Sequence, residues 1–85
     1  MESELQVAID VGSRVHRVAV GDADGHILDQ FDVHHTARGM DAFFERIMLL
    51  SDGPVAVAME SYNGWARPLD QQILARGWKL LASTT

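Results

Sequence analysis

The sequence contains no cysteine, only two prolines, and no apolar run near the roughly 20 residues that a membrane-spanning helix needs. Without cysteine there can be no disulfide scaffold and no thiolate metal site, so oxygen or imidazole ligands would have to hold any metal. The N-terminus, MESELQ, also lacks the basic and apolar stretches of a secretory signal. These absences predict a cytoplasmic protein that makes no membrane contact.

Positive charge is scarce as well. The chain has 7 Lys and Arg residues against 12 Asp and Glu residues, which gives a formal net charge of −5. Affinity for nucleic acid comes largely from Lys and Arg side chains that neutralise phosphates. We therefore expect that, if the chain acts on nucleic acid, the basic surface lies elsewhere.

The composition fits one small globular unit. The chain has 85 residues, 47% of them hydrophobic, and no repeated or low-complexity stretch. A domain of this size buries about 60–65% of the surface that its unfolded chain exposes. The sequence therefore predicts a single domain with a small stability margin.

The N-terminal third has the pattern of three short strands. Residues 5–11 (LQVAIDV) are mostly apolar with one charge, Asp10, and residues 15–20 (VHRVAV) follow a Gly-Ser turn. Residues 27–33 (ILDQFDV) alternate again after an Asp-Gly turn. The pattern predicts an antiparallel meander, and we expect the side chains of His16 and His26 on its surface.

Helical spacing then alternates with strands. Thr36 is a suitable N-cap for an amphipathic helix that ends before an Asp-Gly-Pro turn. Strands are predicted at residues 55–60 and 78–83, with a second helix at about 65–76 between them. The predicted core side chains of this half are Met40, Phe43, Phe44, Ile47, Met48, Leu49 or Leu50, and Trp78. The resulting order is β-β-β-α-β-α-β, an α/β chain with a mixed sheet.

This order brings two acidic residues together. Because β-α-β crossovers are right-handed, strand 55–60 can lie parallel beside strand 5–11. Asp10 is near the carboxyl end of the first of these strands, and Glu60 is the last residue of the second. An ionised acid in such an apolar strand is costly unless it is paired, hydrogen-bonded or bound to a cation. The carboxyl ends of strands are also where ligands bind in open α/β sheets.

Two neighbouring carboxylates form a hard oxygen site suited to Mg²⁺ or Mn²⁺. A pair of such ions can hold both the attacking and the leaving oxygen of a phosphodiester. Asp10 and Glu60 are therefore our candidate catalytic and metal-binding residues. Each has a structural alternative: Asp10 can cap the turn that follows it, and Glu60 can be a solvated strand end or accept from amides at the start of the second helix.

Other side chains give weaker signals. His34 and His35 are adjacent and would point to opposite sides of an extended chain, which argues against a joint metal site. Tyr62 and Trp65 could stack on nucleic-acid bases, although an aromatic at a helix start more often packs against the core.

Several segments together resemble a known family. AIDVGSRVHRVAVGDADGHIL, an amphipathic helix, VAVAMESYNGW and LDQQILARGWKL resemble the N-terminal domain of the DEDD-type transposases of the insertion sequence 110 family. The resemblance covers essentially the whole chain. It implies a ribonuclease-H-like (RuvC-like) fold whose Asp-Glu-Asp-Asp tetrad binds Mg²⁺ for DNA cleavage and strand exchange. Asp10 matches the first acid of the tetrad and Glu60 the second. DNA is the implied partner, and some members also use a guide RNA.

The resemblance implies further parts that this sequence lacks. The family's other two aspartates and its serine-bearing C-terminal domain lie beyond Thr85, so we interpret residues 1–85 as the N-terminal part of a RuvC-like domain, incomplete at the C-terminus. We expect a fragment of a DNA transposase or recombinase that is inactive alone and binds Mg²⁺ or Mn²⁺ weakly. We also expect it to form homo-oligomers through an exposed sheet edge or apolar face.

Two other interpretations stay open. The first hairpin also resembles the phosphate-binding hairpin of actin-like ATPases, sugar kinases and exopolyphosphatases, in which a strand-end Asp and a Gly-Ser turn approach a nucleotide. Alternatively, the chain could be a non-catalytic module that dimerises or docks on a partner.

Overall fold

A computed structural model describes residues 4–60 and 67–82. Its elements in chain order are β1 (Leu5–Asp10), β2 (Val15–Gly21), β3 (Ile27–His34), α1 (Ala37–Leu50), β4 (Val55–Glu60), α2 (Arg67–Ala75) and β5 (Lys79–Ala82). The α/β class and the β-β-β-α-β-α-β order are confirmed. The predicted start of the second helix, with Tyr62 and Trp65, lies outside the described residues.

The strands form one mixed sheet in the order β3-β2-β1-β4-β5. β2 is antiparallel to both β1 and β3, whereas β4 is parallel to β1 and β5 is parallel to β4. This is the mixed sheet of the ribonuclease-H-like fold that the family resemblance implied. β1 and β4 pair along their full lengths, through six residue pairs from Leu5 with Val55 to Asp10 with Glu60.

Both helices lie on the same side of the sheet. β3, β4 and β5 run in one direction, and the chain passes from β3 to β4 and from β4 to β5 towards the same edge. Right-handed crossovers made in one direction put their helices on one face. Buried side chains from both helices accordingly join one core with alternate residues of the strands.

The two faces of the sheet differ in composition. The covered face, beneath the helices, carries the buried side chains of Leu5, Val7, Ile9, Val18, Val20, Val55, Val57 and Met59. We call the opposite side the outer face; it carries Gln6, Ala8, Asp10, Arg17, Ala19, Ala56, Ala58 and Glu60. Strand residues alternate between the faces, and in β1 and β4 large apolar residues alternate with small or polar ones, which produces this separation.

Helix α1 supplies the bulk of the covering layer. Phe43, Phe44 and Ile47 are at most 1% exposed, and the Phe43 and Phe44 rings pack at a centroid distance of 5.0 Å. Thr36 is the N-cap, as predicted, and its hydroxyl oxygen accepts a hydrogen bond from the Gly39 amide at 2.9 Å. Gly77 ends the second helical segment with φ of 79°, which also agrees with the sequence. Neither described helix is long and apolar enough to cross a membrane.

Four side chains depart from the predicted burial. Met48 is 48% exposed, and Leu49 and Leu50 are 83% and 40% exposed. Leu49 is two residues, or about 200° of rotation, past Ile47 and therefore points away from the sheet. Met48 and Leu50 share the helix face of Phe44 and Phe43 but lie in the last turn of α1, which ends at Leu50. His16, expected on the surface, is fully buried. It shares the parity of Val18 within β2 and therefore faces the helices.

Candidate functional site

Asp10 and Glu60 lie side by side at the carboxyl ends of β1 and β4. They are register partners in a parallel pair, and both are exposed on the outer face. Paired strands are about 4.8 Å apart, and register partners point to the same side of the sheet. Two carboxylates that share a face at this spacing can contribute oxygens to a single cation.

The backbone fixes the end of β1 against β4. The Val11 amide donates to the Glu60 carbonyl oxygen at 3.0 Å, which extends the ladder past Asp10. The next residue, Gly12, begins a tight turn in which an added Cβ would overlap the carbonyl oxygen of Val15. Only glycine fits there without a shift of the backbone. The position of Asp10 is therefore set by a strand pair on one side and a glycine-dependent turn on the other.

A row of charges crosses the outer face at this level. Asp10 is flanked by Glu60 on β4 and by Arg17 on β2, and Arg17 in turn faces Asp32 on β3. Arg17 Nε lies 3.4 Å from Asp32 Oδ1, and both side chains are more than half exposed. The guanidinium group is thus one strand away from the acid pair, where it could also contact an anion.

The buried His16 is a feature that the sequence analysis missed. Its Nδ1 accepts a hydrogen bond from the Gly12 amide at 3.1 Å, and its Nε2 lies 2.9 Å from Nδ1 of His35. Burial, followed by the influence of His35, lowers the pKa of the His16 imidazole. The signal that could have revealed it is strand parity: position 16 shares a face with the apolar positions 18 and 20.

A second acidic group lies in the turn between β2 and β3. Ligand atoms of Asp22, Asp24 and His26 lie within 4.8 Å of one another. Asp22 Oδ1 accepts hydrogen bonds from the amides of Asp24 and His26, each at 2.9 Å. The His26 amide and then the Asp24 amide hold the pKa of the Asp22 carboxyl below its ordinary value. These bonds are those of an Asx-type turn, so the cluster is explained as a structural turn.

The arrangement at the strand ends suits a divalent cation. Mg²⁺ and Mn²⁺ prefer carboxylate oxygens and commonly take only one or two of them from the protein. The remaining positions are filled by water and by oxygens of a phosphate substrate. Asp10 and Glu60 offer this donor set on an exposed face, where a long phosphodiester could approach.

The chain matches the model of a known protein family. The family model for DEDD transposases of insertion sequence 110, described as Transposase, matches residues 7–84. No curated protein matches the sequence.

Solved structures share the fold at low sequence identity. A crystal structure of the Aquifex aeolicus member of the Ppx/GppA family aligns with a TM-score of 0.53 and 11% identity, over 96% of this chain and 35% of that chain. A second Aquifex aeolicus structure, of a PPX-GPPA enzyme, has a TM-score of 0.49 and 11% identity, over 96% of this chain and 36% of that chain. The chain thus spans about a third of these proteins, and the first of them shares its fold.

Proposed function

The chain belongs to the DEDD transposases of the insertion sequence 110 family, and from that premise we propose that Asp10 and Glu60 are ligands of a catalytic divalent metal. The ion would be Mg²⁺ or Mn²⁺, and the reaction would be metal-dependent DNA cleavage and strand transfer by the complete protein. When bound, the metal supplies charge neutralisation at the scissile phosphate. The role of this chain is to hold two of the carboxylates in place.

One observation carries the proposal. Asp10 and Glu60 pair in register at the carboxyl ends of adjacent parallel strands, on the exposed face. Like charges at such a spacing repel and weaken the fold. A bound cation converts that repulsion into attraction, whereas a purely structural role for either acid gives no reason to pair them.

The proposed site is half of the tetrad that the family resemblance implies. Asp32, the next acid in the same row, is two strands from Asp10, or about 10 Å, and is paired with Arg17. The two remaining carboxylates of the tetrad are not assigned to residues of this chain. This chain alone is therefore proposed to be inactive in DNA cleavage and to bind Mg²⁺ in the millimolar range at best, because the ion would stay mostly hydrated.

The partners follow from the same premise. DNA is the proposed substrate of the complete protein, and a guide RNA is proposed as a further partner. The net charge of −5 means that the basic groups for binding either nucleic acid would come from elsewhere in the assembly. A DNA substrate and a chain without cysteine both favour the cytoplasm.

Paramagnetic Mn²⁺ gives the most direct test. We expect Mn²⁺ to broaden the backbone amide signals of residues around Asp10 and Glu60 in the ¹⁵N-labelled chain, and excess Mg²⁺ to reverse the broadening. The paired variants Asp10→Asn and Glu60→Gln should each remove the effect, because each deletes one of two charged ligands.

The control for this experiment is the turn acid Asp24. The β2–β3 turn lies near the opposite end of β1, about 13 Å from Asp10 along the strand, so broadening there can be told apart from broadening at the acid pair. In the Asp24→Asn variant, Mn²⁺ should still broaden the signals near Asp10 as it does in the wild type. Broadening confined to the turn, or none near Asp10, would overturn the proposal.

The nucleotide-binding alternative has less support from the first hairpin. A phosphate-binding hairpin needs free amides in its turn, yet the Val11 amide donates to Glu60 and the Gly12 amide donates to His16. We therefore expect no heat of binding with Mg²⁺-ATP in calorimetry. Saturable binding of Mg²⁺-ATP, lost in Asp10→Asn, would favour the nucleotide interpretation over the transposase one.

We further propose that the chain associates with a second copy of itself. Within the described sheet, β3 and β5 each have one edge without a neighbouring strand, and Leu81 on β5 is 73% exposed. Sedimentation should show a weight-average mass that rises with protein concentration. A concentration-independent monomer would contradict this. Replacing both Asp10 and Glu60 with Ala should leave association unchanged, since neither residue is at an edge strand.

A further inference from the structure

The buried His16 connects two segments that are distant in the sequence. One ring nitrogen, Nδ1, accepts from the Gly12 amide at 3.1 Å, in the turn directly after the strand that carries Asp10. The other, Nε2, lies 2.9 Å from Nδ1 of His35, between β3 and α1. The two rings meet edge to face at 82° with centroids 5.1 Å apart. Both nitrogens of a fully buried ring are thus engaged.

Both ends of this connection are held tightly. At one end, an added Cβ on Gly12 would overlap the carbonyl oxygen of Val15. At the other end, a Cβ on Gly39 would overlap the carbonyl oxygen of His34, and the His35 amide donates to the Arg14 carbonyl oxygen at 2.8 Å. The rings therefore join two backbone segments that have little freedom to adjust.

The hydrogen bonds determine where the protons are. A backbone amide can only donate, so Nδ1 of His16 carries no proton. The proton of a neutral His16 is then on Nε2 and is donated to Nδ1 of His35, which must also be unprotonated. His35 in turn keeps its proton on Nε2. A proton added to either ring occupies a nitrogen that now accepts, and it breaks one of the two bonds.

The surroundings offer no charge to compensate for a protonated ring. On β1 to β4, on α1 and in the β1–β2 turn, the described titratable side chains besides His16 and Asp29 are exposed: Asp10, Arg14, Arg17, Asp32, His34, Arg38, Asp41, Glu45, Arg46 and Glu60. Asp29 is partly buried, and its carboxylate is paired with Arg46. The neighbours of His16 on the covered face are apolar, namely Val18 on its own strand and its register partner Val33 on β3. Burial first, and His35 second, lower the pKa of His16.

We propose that His16 and His35 form a neutral imidazole clamp that positions the turn after Asp10, and that protonation of the clamp releases this turn. His16 is a positioning residue, since it acts on the acid pair through the Gly12 backbone. The clamp holds above the ordinary titration range of histidine. Its contribution to stability is complete above the ordinary pKa of histidine and is lost as the pH falls through the lowered pKa of His16, because over that range the opened chain binds more protons than the closed one. Release of the turn would also disturb Asp10 as a metal ligand, and this consequence alone rests on the proposed function.

The tautomers of the two histidines provide the first test, and they require no variant. In the ¹⁵N-labelled wild-type chain at about pH 7.5, long-range imidazole spectra should show His16 and His35 both protonated at Nε2 and unprotonated at Nδ1. On acidification, the Gly12 amide signal should shift with the same midpoint as the His16 ring. A His16 ring protonated at Nδ1, or a Gly12 amide that does not follow the ring, would overturn the proposal.

Variants then separate positioning from packing. His16→Leu fills the space but offers no acceptor, so the Gly12 amide should exchange with solvent about tenfold faster or more, as expected when a buried donor loses its partner. His16→Asn places a carbonyl oxygen near the position of Nδ1 and cannot titrate. The His16→Asn variant should therefore regain part of the protection of the Gly12 amide, and that protection should no longer depend on histidine titration. Equal exchange in wild type and His16→Leu would overturn the clamp.

The exposed neighbour His34 is the matched control. His34→Asn should leave both the exchange rate of the Gly12 amide and the pH midpoint of its signal unchanged. A change in either would mean that His34 contributes to the effect, which would contradict its assignment to His16. All of these measurements are made without metal. A chain that binds no Mn²⁺ would therefore overturn the proposed function and leave the clamp intact, while a failed clamp would leave the metal site in place.

Discussion

The two faces of the sheet obey different rules. On the covered face nearly every side chain is apolar and buried, and its contacts are with α1 and α2. On the outer face the central positions are alanines, and the carboxyl end carries a row of charges that includes a like-charged pair. The first face stabilises the chain through close packing. We expect the second face to give up stability at Asp10 and Glu60, because like charges at paired positions repel.

The largest expected effect tests the covered face. Ile47 on α1 is fully buried, and Ile47→Ala should lower the free energy of unfolding by about 2–5 kcal/mol because it removes apolar contacts and leaves a cavity. A domain this small has little more than that in total. Urea denaturation, or simple loss of the folded NMR spectrum, measures it. Leu49→Ala, on the same helix but 83% exposed, should change stability by no more than about 0.5 kcal/mol. Similar losses in both variants would mean that the helix does not pack as described.

The next largest effect on stability is expected in the turn between β1 and β2. Gly12→Ala should lower the free energy of unfolding by about 1–3 kcal/mol, because its Cβ would overlap the Val15 carbonyl oxygen and force the backbone to shift. Ser13 is exposed in the same turn, so Ser13→Ala should be nearly neutral and serves as the control. Thermal unfolding of the three proteins would show the difference. A Gly12→Ala protein as stable as the wild type would mean that the turn can relax to accommodate the added Cβ.

Much of the fold was predictable because it depends on local pattern. Short apolar runs predicted β1 and β4, alternation predicted β3, and glycine and proline signals predicted the turns. The handedness of crossovers was sufficient to predict Asp10 beside Glu60, although not the extension of the ladder by the Val11 amide. Alternation along β2 places His16 on the same face as Val18 and Val20. Its burial was not predicted, because a surface position was expected for its polar ring.

The remaining features depend on contacts between distant residues. The bond between His16 and His35 joins positions 19 apart in the sequence, and nothing in either local pattern indicates it. The exposure of Met48 is similar, because its helical spacing from Phe44 predicted burial, yet it lies in the last turn of α1 and is 48% exposed. Its sulfur lies 3.4 Å from Arg76 Nη1, at the rim of the core. Tertiary packing, rather than propensity, decides such positions.

The smallest expected effect concerns the outer face, and its sign is opposite to the others. In the absence of divalent metal, Glu60→Gln should raise the free energy of unfolding by about 0.2–1 kcal/mol, because it removes repulsion from Asp10 and keeps the side-chain shape. Asp10→Asn should raise it less, since Asp10 also attracts Arg17 across the β1–β2 pair and that attraction is lost with the charge. Urea titrations in the presence of a chelator, at low and high salt, measure both changes. Salt at about 1 M shortens the screening length to about 3 Å, so the gain of Glu60→Gln should shrink there. A destabilised Glu60→Gln protein would mean that the carboxylate supports the fold, and the contrast between the two faces would then fail at the residues where it matters most.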